Sequence, residues 1–322
     1  MSNNYNYLDL VKLVDSAPYV HETDSYNIFT SSVYTLISHD SQFKLGYVLP
    51  IVSNSLKAHT EIVSVDDTTR TIKINSSLDT VDKRIDAFAE LGQKLKHSNK
   101  FETLKGWRNE LYTIYGPNRE IYMRAERALC PLLGVVMYGV HINGYIPESK
   151  SSDGKLKIWV PRRSATKPTY PGMLDNTVAG GLGYPYGPYE TVIKECYEEA
   201  GLEEEYVKSR AKSAGCISYL YQLTKGKFSD EGGLIQPEVE YVYDLMMDEG
   251  DIPHPVDNEA EDFKLMDLDE IKLRLSNGEF KHNCASVIID FLIRHSYITP
   301  ENEADYLEIT NRLHRFLPFP TR

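Results

Sequence analysis

Three glutamates, Glu195, Glu198 and Glu199, are spaced E-x-x-E-E in Lys194-Glu195-Cys196-Tyr197-Glu198-Glu199. At about 100° per residue, Glu198 and Glu199 fall within about 60° of Glu195 on a helix, so all three carboxylates share one face. Carboxylates crowded in this way repel one another and raise one another's pKa unless something positive lies between them. A hard divalent ion such as Mg²⁺ or Mn²⁺ does that best, because it takes oxygen ligands and keeps positions open for water and phosphate oxygens. The same spacing also describes an ordinary solvated helix face. What sets this one apart is its frame, a glycine-rich loop from Gly180 that enters a helix through Pro188 and an abrupt stop at Gly201. On the opposite side of that helix Tyr189, Ile193, Cys196, Tyr197 and Ala200 form the stripe expected to be buried against a sheet.

The rest of the chain must position this helix. With 322 residues it is long enough for two ordinary cores. Apolar residues from Leu8 to Val14 predict an opening helix that ends near Pro18, and Phe43–Pro50 and Ile62–Val65 read as strands. Val81, Ile85, Phe88, Leu91 and Leu95 predict a helix over Thr80–Lys96. Beyond residue 125 the pattern changes. Strands are expected at Leu132–Ile142, Lys155–Pro161 and Val239–Met247, and helices at Leu268–Leu275 and Ser286–His295. Strands separated by helices indicate an α/β sandwich. The division expected is an N-terminal α+β domain of unknown role over residues 1–125 and a second domain over residues 126–322.

Composition narrows the partners. There are 35 Lys and Arg against 47 Asp and Glu, a net charge of −12, which repels phosphate backbones and disfavours nucleic acid. An anionic substrate would need local cations. The longest apolar stretch, about Cys130 to Ile142, falls short of the ~20 residues that cross a bilayer. The four cysteines Cys130, Cys196, Cys216 and Cys284 show no C-x-x-C spacing and read as reduced core residues. Neither end of the sequence reads as a targeting signal, so the expected location is cytoplasmic, with the nucleus as a second possibility.

The segment from Gly180 to Leu202 resembles the Nudix box, a pattern of Gly, five residues, Glu, seven residues, Arg-Glu, an aliphatic, one residue, Glu-Glu, one residue, Gly and an aliphatic. Lys194 to Leu202 fills its second half and Gly180 opens it. Two positions depart: Tyr186 stands for the early Glu, and Lys194 for the Arg, whose planar fork Lys does not reproduce. The resemblance implies a Nudix α/β/α sandwich with a mixed sheet, preceded by a smaller α+β domain, and Glu195, Glu198 and Glu199 as ligands of Mg²⁺ or Mn²⁺. It extends further. Gly106-Trp-Arg-Asn-Glu110, Glu126-Arg127, Gly139–Tyr145, Ile158–Arg163, Lys167 and Pro171–Gly181 are similar to a eukaryotic Nudix subgroup with its own N-terminal domain. That subgroup is related to the Nudix part fused to some fungal thiamine pyrophosphokinases. The activity implied is hydrolysis of thiamine diphosphate, with its oxidised oxo- and oxythiamine forms preferred, to the monophosphate and phosphate.

Such sites often take a fourth carboxylate from outside the box. Glu238 and Glu240, two apart at a strand start, share a face, and Glu240 is the first candidate; Glu259 and Glu261 compete. Glu199 or Glu240 would take the proton of the attacking water. Arg162, Arg163 and Lys167 form a basic cluster suited to terminal phosphate, or else a solvated strand end. Trp159, Tyr170, Tyr184 and Tyr186 are the rings near the box that would stack on a flat heteroaromatic. His141 reads as a hydrogen-bonded core histidine. The expected partner is therefore a small-molecule diphosphate, with no nucleic acid and no membrane, for a monomer or homodimer. Two other readings stay open: a Nudix hydrolase of a nucleoside diphosphate derivative, and a ligand-binding Nudix module that has lost catalysis along with the early Glu and the Arg.

Overall fold

The computed structural model describes residues 4–167, 169–223 and 231–322. The first half runs α1 (Tyr7–Lys12), α2 (Thr23–Ser32), β1 (Tyr34–Ile37), β2 (Lys44–Val48), α3 (Pro50–Leu56), β3 (Val63–Asp66), β4 (Thr71–Ile74) and α4 (Val81–His97). A hairpin follows, β5 (Leu111–Tyr115) with β6 (Ile121–Glu126), then α5 (Cys130–Leu133). The second half runs β7 (Met137–Ile146), β8 (Lys157–Arg163), β9 (Val178–Gly181), α6 (Pro188–Ala200), α7 (Glu204–Arg210), β10 (Ala211–Gln222), β11 (Ile235–Met246), β12 (Ala260–Asp267), α8 (Leu268–Ser276), α9 (His282–Arg294) and α10 (Tyr306–Leu313).

Strands β2-β1-β4-β3 form a four-stranded mixed sheet, in which β1 and β4 are parallel. Helix α4 starts where the Thr80 side chain accepts the Lys83 N–H at 3.3 Å. Its Phe88, Leu91 and Leu95 share one core with Leu36, Ile72 and Ile74 of the sheet and with Tyr112, Ile114 and Met123 of the hairpin.

The second sheet has the order β10-β11-β7-β8-β12, with β9 also paired to β7. Only β7 and β11 run parallel; the other pairs are antiparallel. One face packs Val140, Ile142, Val178 and Leu245 against Val192, Cys196 and Ala200 of α6 and Val207 of α7. The other packs Ile158, Val160, Ile217 and Val242 against Ile288, Phe291 and Leu292 of α9. The result is an α/β/α sandwich on a mixed sheet. Helix α1 joins this second core through Leu8, Leu10 and Val11, so the chain start is spent on the far sheet.

The sheet forks where the site will lie. Strand β7 pairs with β9 over Gly139–Ile142 but with β8 only at Tyr145 and Ile146. Beyond that point β8 and β9 diverge and leave a cleft.

Some elements differ from the sequence reading. The strand expected from Leu132 begins at Met137, because Leu132 and Leu133 end α5 and Gly134 turns the chain at φ 61°. Helix α9 starts at His282 rather than at Ser286, and β10 had no anticipated counterpart. Cys130, Cys196 and Cys284 are buried as expected, whereas Cys216 is exposed on β10. No helix of the described residues is long and apolar enough to cross a membrane.

Candidate active site

Helix α6 is bounded by local chemistry. The Gly187 N–H donates to Glu190 Oε2 at 2.8 Å, and Pro188 fills the first turn, where its missing N–H leaves no bond unmade. At the far end Gly201 has φ 65°, and a Cβ there would also collide with the His254 ring.

The buried stripe of α6 is Val192, Cys196 and Ala200. Tyr189 and Tyr197 were expected to share it but are exposed, Tyr197 to 55%. The stripe follows i, i+4 steps, and Tyr197 lies about 100° from Cys196 on the outward side. On the other flank Glu199 lies about 60° and Glu195 about 100° from Cys196, and both turn toward β9. Glu199 Oε2 accepts the Ala179 N–H at 3.1 Å. Glu195 lies so close to Gly180 that a Cβ at that position would come within 2.5 Å of its Cδ. Glu198 points outward, its side chain 49% exposed, with Lys194 Nζ 2.8 Å from its Oε2. Lys194 also reaches Glu195 Oε1 at 3.0 Å.

The fourth and fifth carboxylates come from the loop that enters β12. One oxygen each of Glu199, Asp257 and Glu259 lie within 4.8 Å of one another. The loop is tied at both ends: His254 N–H donates to Ala200 O at 3.1 Å, Lys167 pairs with Glu259, and Glu261 accepts the Ala165 N–H at 3.0 Å. Glu199 and Glu259 open onto the fork between β8 and β9, a small cleft of about 30 Å³ lined also by Arg163, Asp175, Thr177 and Phe263.

Electrostatics mark the same spot. Burial, and then repulsion from Glu195, push the Glu199 carboxyl well above its ordinary range. Burial also raises Glu195, partly offset by Lys194, and it raises Asp257. At Glu259 burial acts upward too, but Lys167, with Arg108 and Arg163, holds its carboxyl below the usual value. An all-oxygen donor set, crowded and short of positive charge, fits a hard divalent cation.

The remaining sequence candidates are distributed as follows. Glu240 does not join the carboxylates of α6. It alternates with Tyr241 and Tyr243 and shares its face with Val242, so it points at α9 across the sheet. There Tyr219 Oη donates to its Oε1 at 2.9 Å, Asn283 Nδ2 at 3.4 Å, and His141 Nε2 lies 3.6 Å from its Oε2. Of the two candidates, Glu259 lies beside Glu199 and Glu240 lies across the sheet from it. The basic cluster is already committed. Arg163 Nη1 lies 2.6 Å from Asp175 Oδ2 while its Nε and Nη2 donate to Tyr170 O and Thr169 O. Arg162 donates to Gly172 O at 2.7 Å. Trp159 does not line the cleft; it is buried, 7% exposed, in the core under α6. Tyr186 stays 48% exposed on the loop before α6. Asp257 and Asp175 were not singled out by sequence. Asp257 is three residues past the His254 that caps α6, a proximity visible only once the loop is folded back.

A family model described as NUDIX domain matches residues 150–284, and one described as a domain of unknown function (DUF4743) matches residues 31–137. An uncharacterized protein of Saccharomyces cerevisiae is 43% identical over 325 residues, covering 98% of this chain and 93% of its own length. Nudix hydrolase 24, chloroplastic, of Arabidopsis thaliana is 32% identical and covers 84% of this chain and 70% of its own. Nudix hydrolase 20, chloroplastic, of the same plant is 38% identical over 65% of this chain and 53% of its own.

Proposed function

This chain belongs to the Nudix hydrolase family, and from that premise we propose that it hydrolyses thiamine diphosphate, and preferentially its oxidised oxo- and oxythiamine forms, to the monophosphate and inorganic phosphate with Mg²⁺ or Mn²⁺. The observation that carries the chemistry is the convergence of Glu199, Asp257 and Glu259 at the mouth of the cleft. The substrate assignment is supported by the resemblance of the strings around Gly139, Ile158 and Pro171 to a eukaryotic Nudix subgroup related to the Nudix part of the fungal thiamine pyrophosphokinase fusions.

Glu199, Asp257, Glu259 and Glu195 would hold the divalent cation. When bound, it supplies charge neutralisation for the diphosphate oxygens and makes the attacking water more acidic. The chain's own groups do the rest. The Ala179 N–H fixes one oxygen of Glu199, leaving the other to face the cleft. Water adds to the terminal phosphorus as the anhydride P–O bond breaks. A carboxylate oxygen of Glu195 or Glu199 not taken by the cation would accept the water's proton. Arg163 organises the 169–175 loop on the opposite wall, which keeps the cleft narrow enough to orient the diphosphate.

The test is phosphate release with Mg²⁺ or Mn²⁺ from thiamine diphosphate, oxothiamine diphosphate and oxythiamine diphosphate, beside AMP formation from ADP-ribose. Turnover of the thiamine compounds, fastest for the oxidised forms, is expected. Turnover of ADP-ribose alone overturns the substrate assignment, and tight ligand binding with no turnover overturns the hydrolase reading itself.

A further inference from the structure

Two short stretches of the first half, Trp107-Arg108-Asn109-Glu110 and Glu126-Arg127, are unused by the chemistry above, yet they close on each other and on the glycine loop. Trp107 Nε1 donates to Asn109 Oδ1 at 2.9 Å, and Asn109 takes φ 59°, which makes a tight turn. The Arg108 N–H donates to Glu126 Oε1 at 2.9 Å, and the Arg127 N–H to Glu110 O at 2.8 Å. Arg127 Nη1 then lies 3.0 Å from Glu110 Oε2. The two stretches thus seal the open end of the β5–β6 hairpin, where Leu111 pairs with Glu126.

The sealed end is docked on the loop that precedes α6. Tyr184 N–H donates to Leu111 O at 2.8 Å, and Tyr112 bridges to Gly183. A Cβ at Gly183 would press to 3.0 Å from Glu110 Cγ, and one at Gly181 would meet the Tyr112 hydroxyl and lie 3.5 Å from Arg127 Cζ. The Arg124 guanidinium covers the Tyr184 ring at 3.8 Å. These glycines are therefore small because the hairpin occupies the space where their side chains would be. Neighbouring residues of a strand face opposite sides. Gly181 rests on the Arg127 side while Gly180 is the seat of Glu195 on the other, so a shift of this strand end changes the surface on which Glu195 rests.

We propose that the Glu110–Arg127 pair is a positioning element of the catalytic centre, fixing from the first half of the chain the glycine loop on which Glu195 is seated. The proposal rests on the hydrolase reading above. Arg127 also lies within electrostatic reach of Glu195, which a mere fastening between the two sheets does not require.

The test uses the full chain with Arg127→Met, Arg127→Lys or Glu110→Gln, compared with wild type and with Thr103→Val. The last removes a hydrogen bond to Glu231 that also joins the two halves but touches none of the loop residues. Mn²⁺ affinity is read by calorimetry, melting temperature by circular dichroism, and kcat and KM with thiamine diphosphate. Arg127→Met and Glu110→Gln are expected to weaken Mn²⁺ binding about 10- to 100-fold, with kcat falling alongside. Arg127→Lys recovers part of the loss, and Thr103→Val leaves Mn²⁺ affinity unchanged. The proposal is overturned if Arg127→Met melts lower but binds Mn²⁺ as wild type does, or if Thr103→Val weakens binding equally. Should Arg127→Met fail to fold, Glu110→Gln decides by the same comparison. A wild type that binds Mn²⁺ but releases no phosphate removes the hydrolase reading and leaves this comparison standing; one with no Mn²⁺ affinity overturns both.

Discussion

Glu199 is the residue on which burial and charge conflict most sharply. Its carboxyl is raised by burial and by Glu195, with Asp175 and Glu259 adding to the repulsion. A raised folded-state value favours the protonated form, so its contribution to stability is full below the unfolded carboxyl range and is lost as pH rises through the folded value. Without a cation, the ionised site therefore costs stability at neutral and higher pH. Glu199→Gln should raise the metal-free melting temperature at pH 8 relative to wild type, with less difference at pH 5. It should also abolish the stabilisation that Mn²⁺ gives the wild type and lower kcat by about 100-fold or more. Thermal melts at the two pH values with and without Mn²⁺, beside a phosphate-release assay, check each part. The E-x-x-E-E spacing put Glu195 and Glu199 on one flank of α6 in advance, because helical geometry is local, but Glu198, expected on the same face, points outward. Glu240 was not legible in the same way. Strand parity says that Glu238 and Glu240 share a face, but which face looks at α6 depends on the register with Gly139, a long-range fact.

At the scale of elements, the site depends on how α6 ends. Gly201 both adopts φ 65° and gives room to the His254 ring, which anchors the loop that carries Asp257 and Glu259. Gly201→Ala is expected to cost about 1–2 kcal/mol in denaturant unfolding from the backbone alone. It should also weaken Mn²⁺ binding measured by calorimetry, although no ligand is changed, because the loop must shift. The glycine stop itself was readable; the loop folding back on it was not, since nothing local in Pro253-His254-Pro255 names its partner. A second prediction belongs to the α9 face. Burial works against a charge on His141, but Glu240 raises its pKa well above the ordinary value. The stabilisation from this pair is full below the unfolded histidine value and is lost as pH rises through the raised one. His141→Gln should then destabilise by about 3 kcal/mol near pH 6 and by progressively less as pH rises through the raised value, as read from urea midpoints. The apolar periods of α4 and α9 announced themselves for the reason that the β7 start did not: Gly134 breaks a β-branched run whose composition continues across it.

Taken whole, the chain carries a net charge of −12 and is asked to bind an anion. Its cleft cations are largely spent on its own acids: Arg163 on Asp175, Lys167 on Glu259, Lys194 on Glu195 and Glu198. Arg108 differs. It is exposed, its side chain makes no hydrogen bond or ion pair among the described residues, and it lies close enough to Glu259 to help hold that carboxyl down. The turn that presents it is braced by Glu126 from the hairpin. The first half of the molecule thus brings near Glu259 a guanidinium with donors to spare, and a fork of this kind suits a terminal phosphate. Charged hydrogen bonds of this type contribute about 1.5–3 kcal/mol, so Arg108→Ala should raise KM for thiamine diphosphate about 10- to 100-fold. The melting temperature should stay near wild type, since the Arg108 side chain makes no hydrogen bond or ion pair among the described residues, Mn²⁺ binding should not weaken, since a positive charge near Glu259 is removed, and kcat should change little. Steady-state kinetics at saturating Mn²⁺ separate the two constants. A loss confined to kcat would instead place Arg108 with the groups that act on the transition state, and an unchanged KM would show that the anion is held by the carboxylate-bound cation alone.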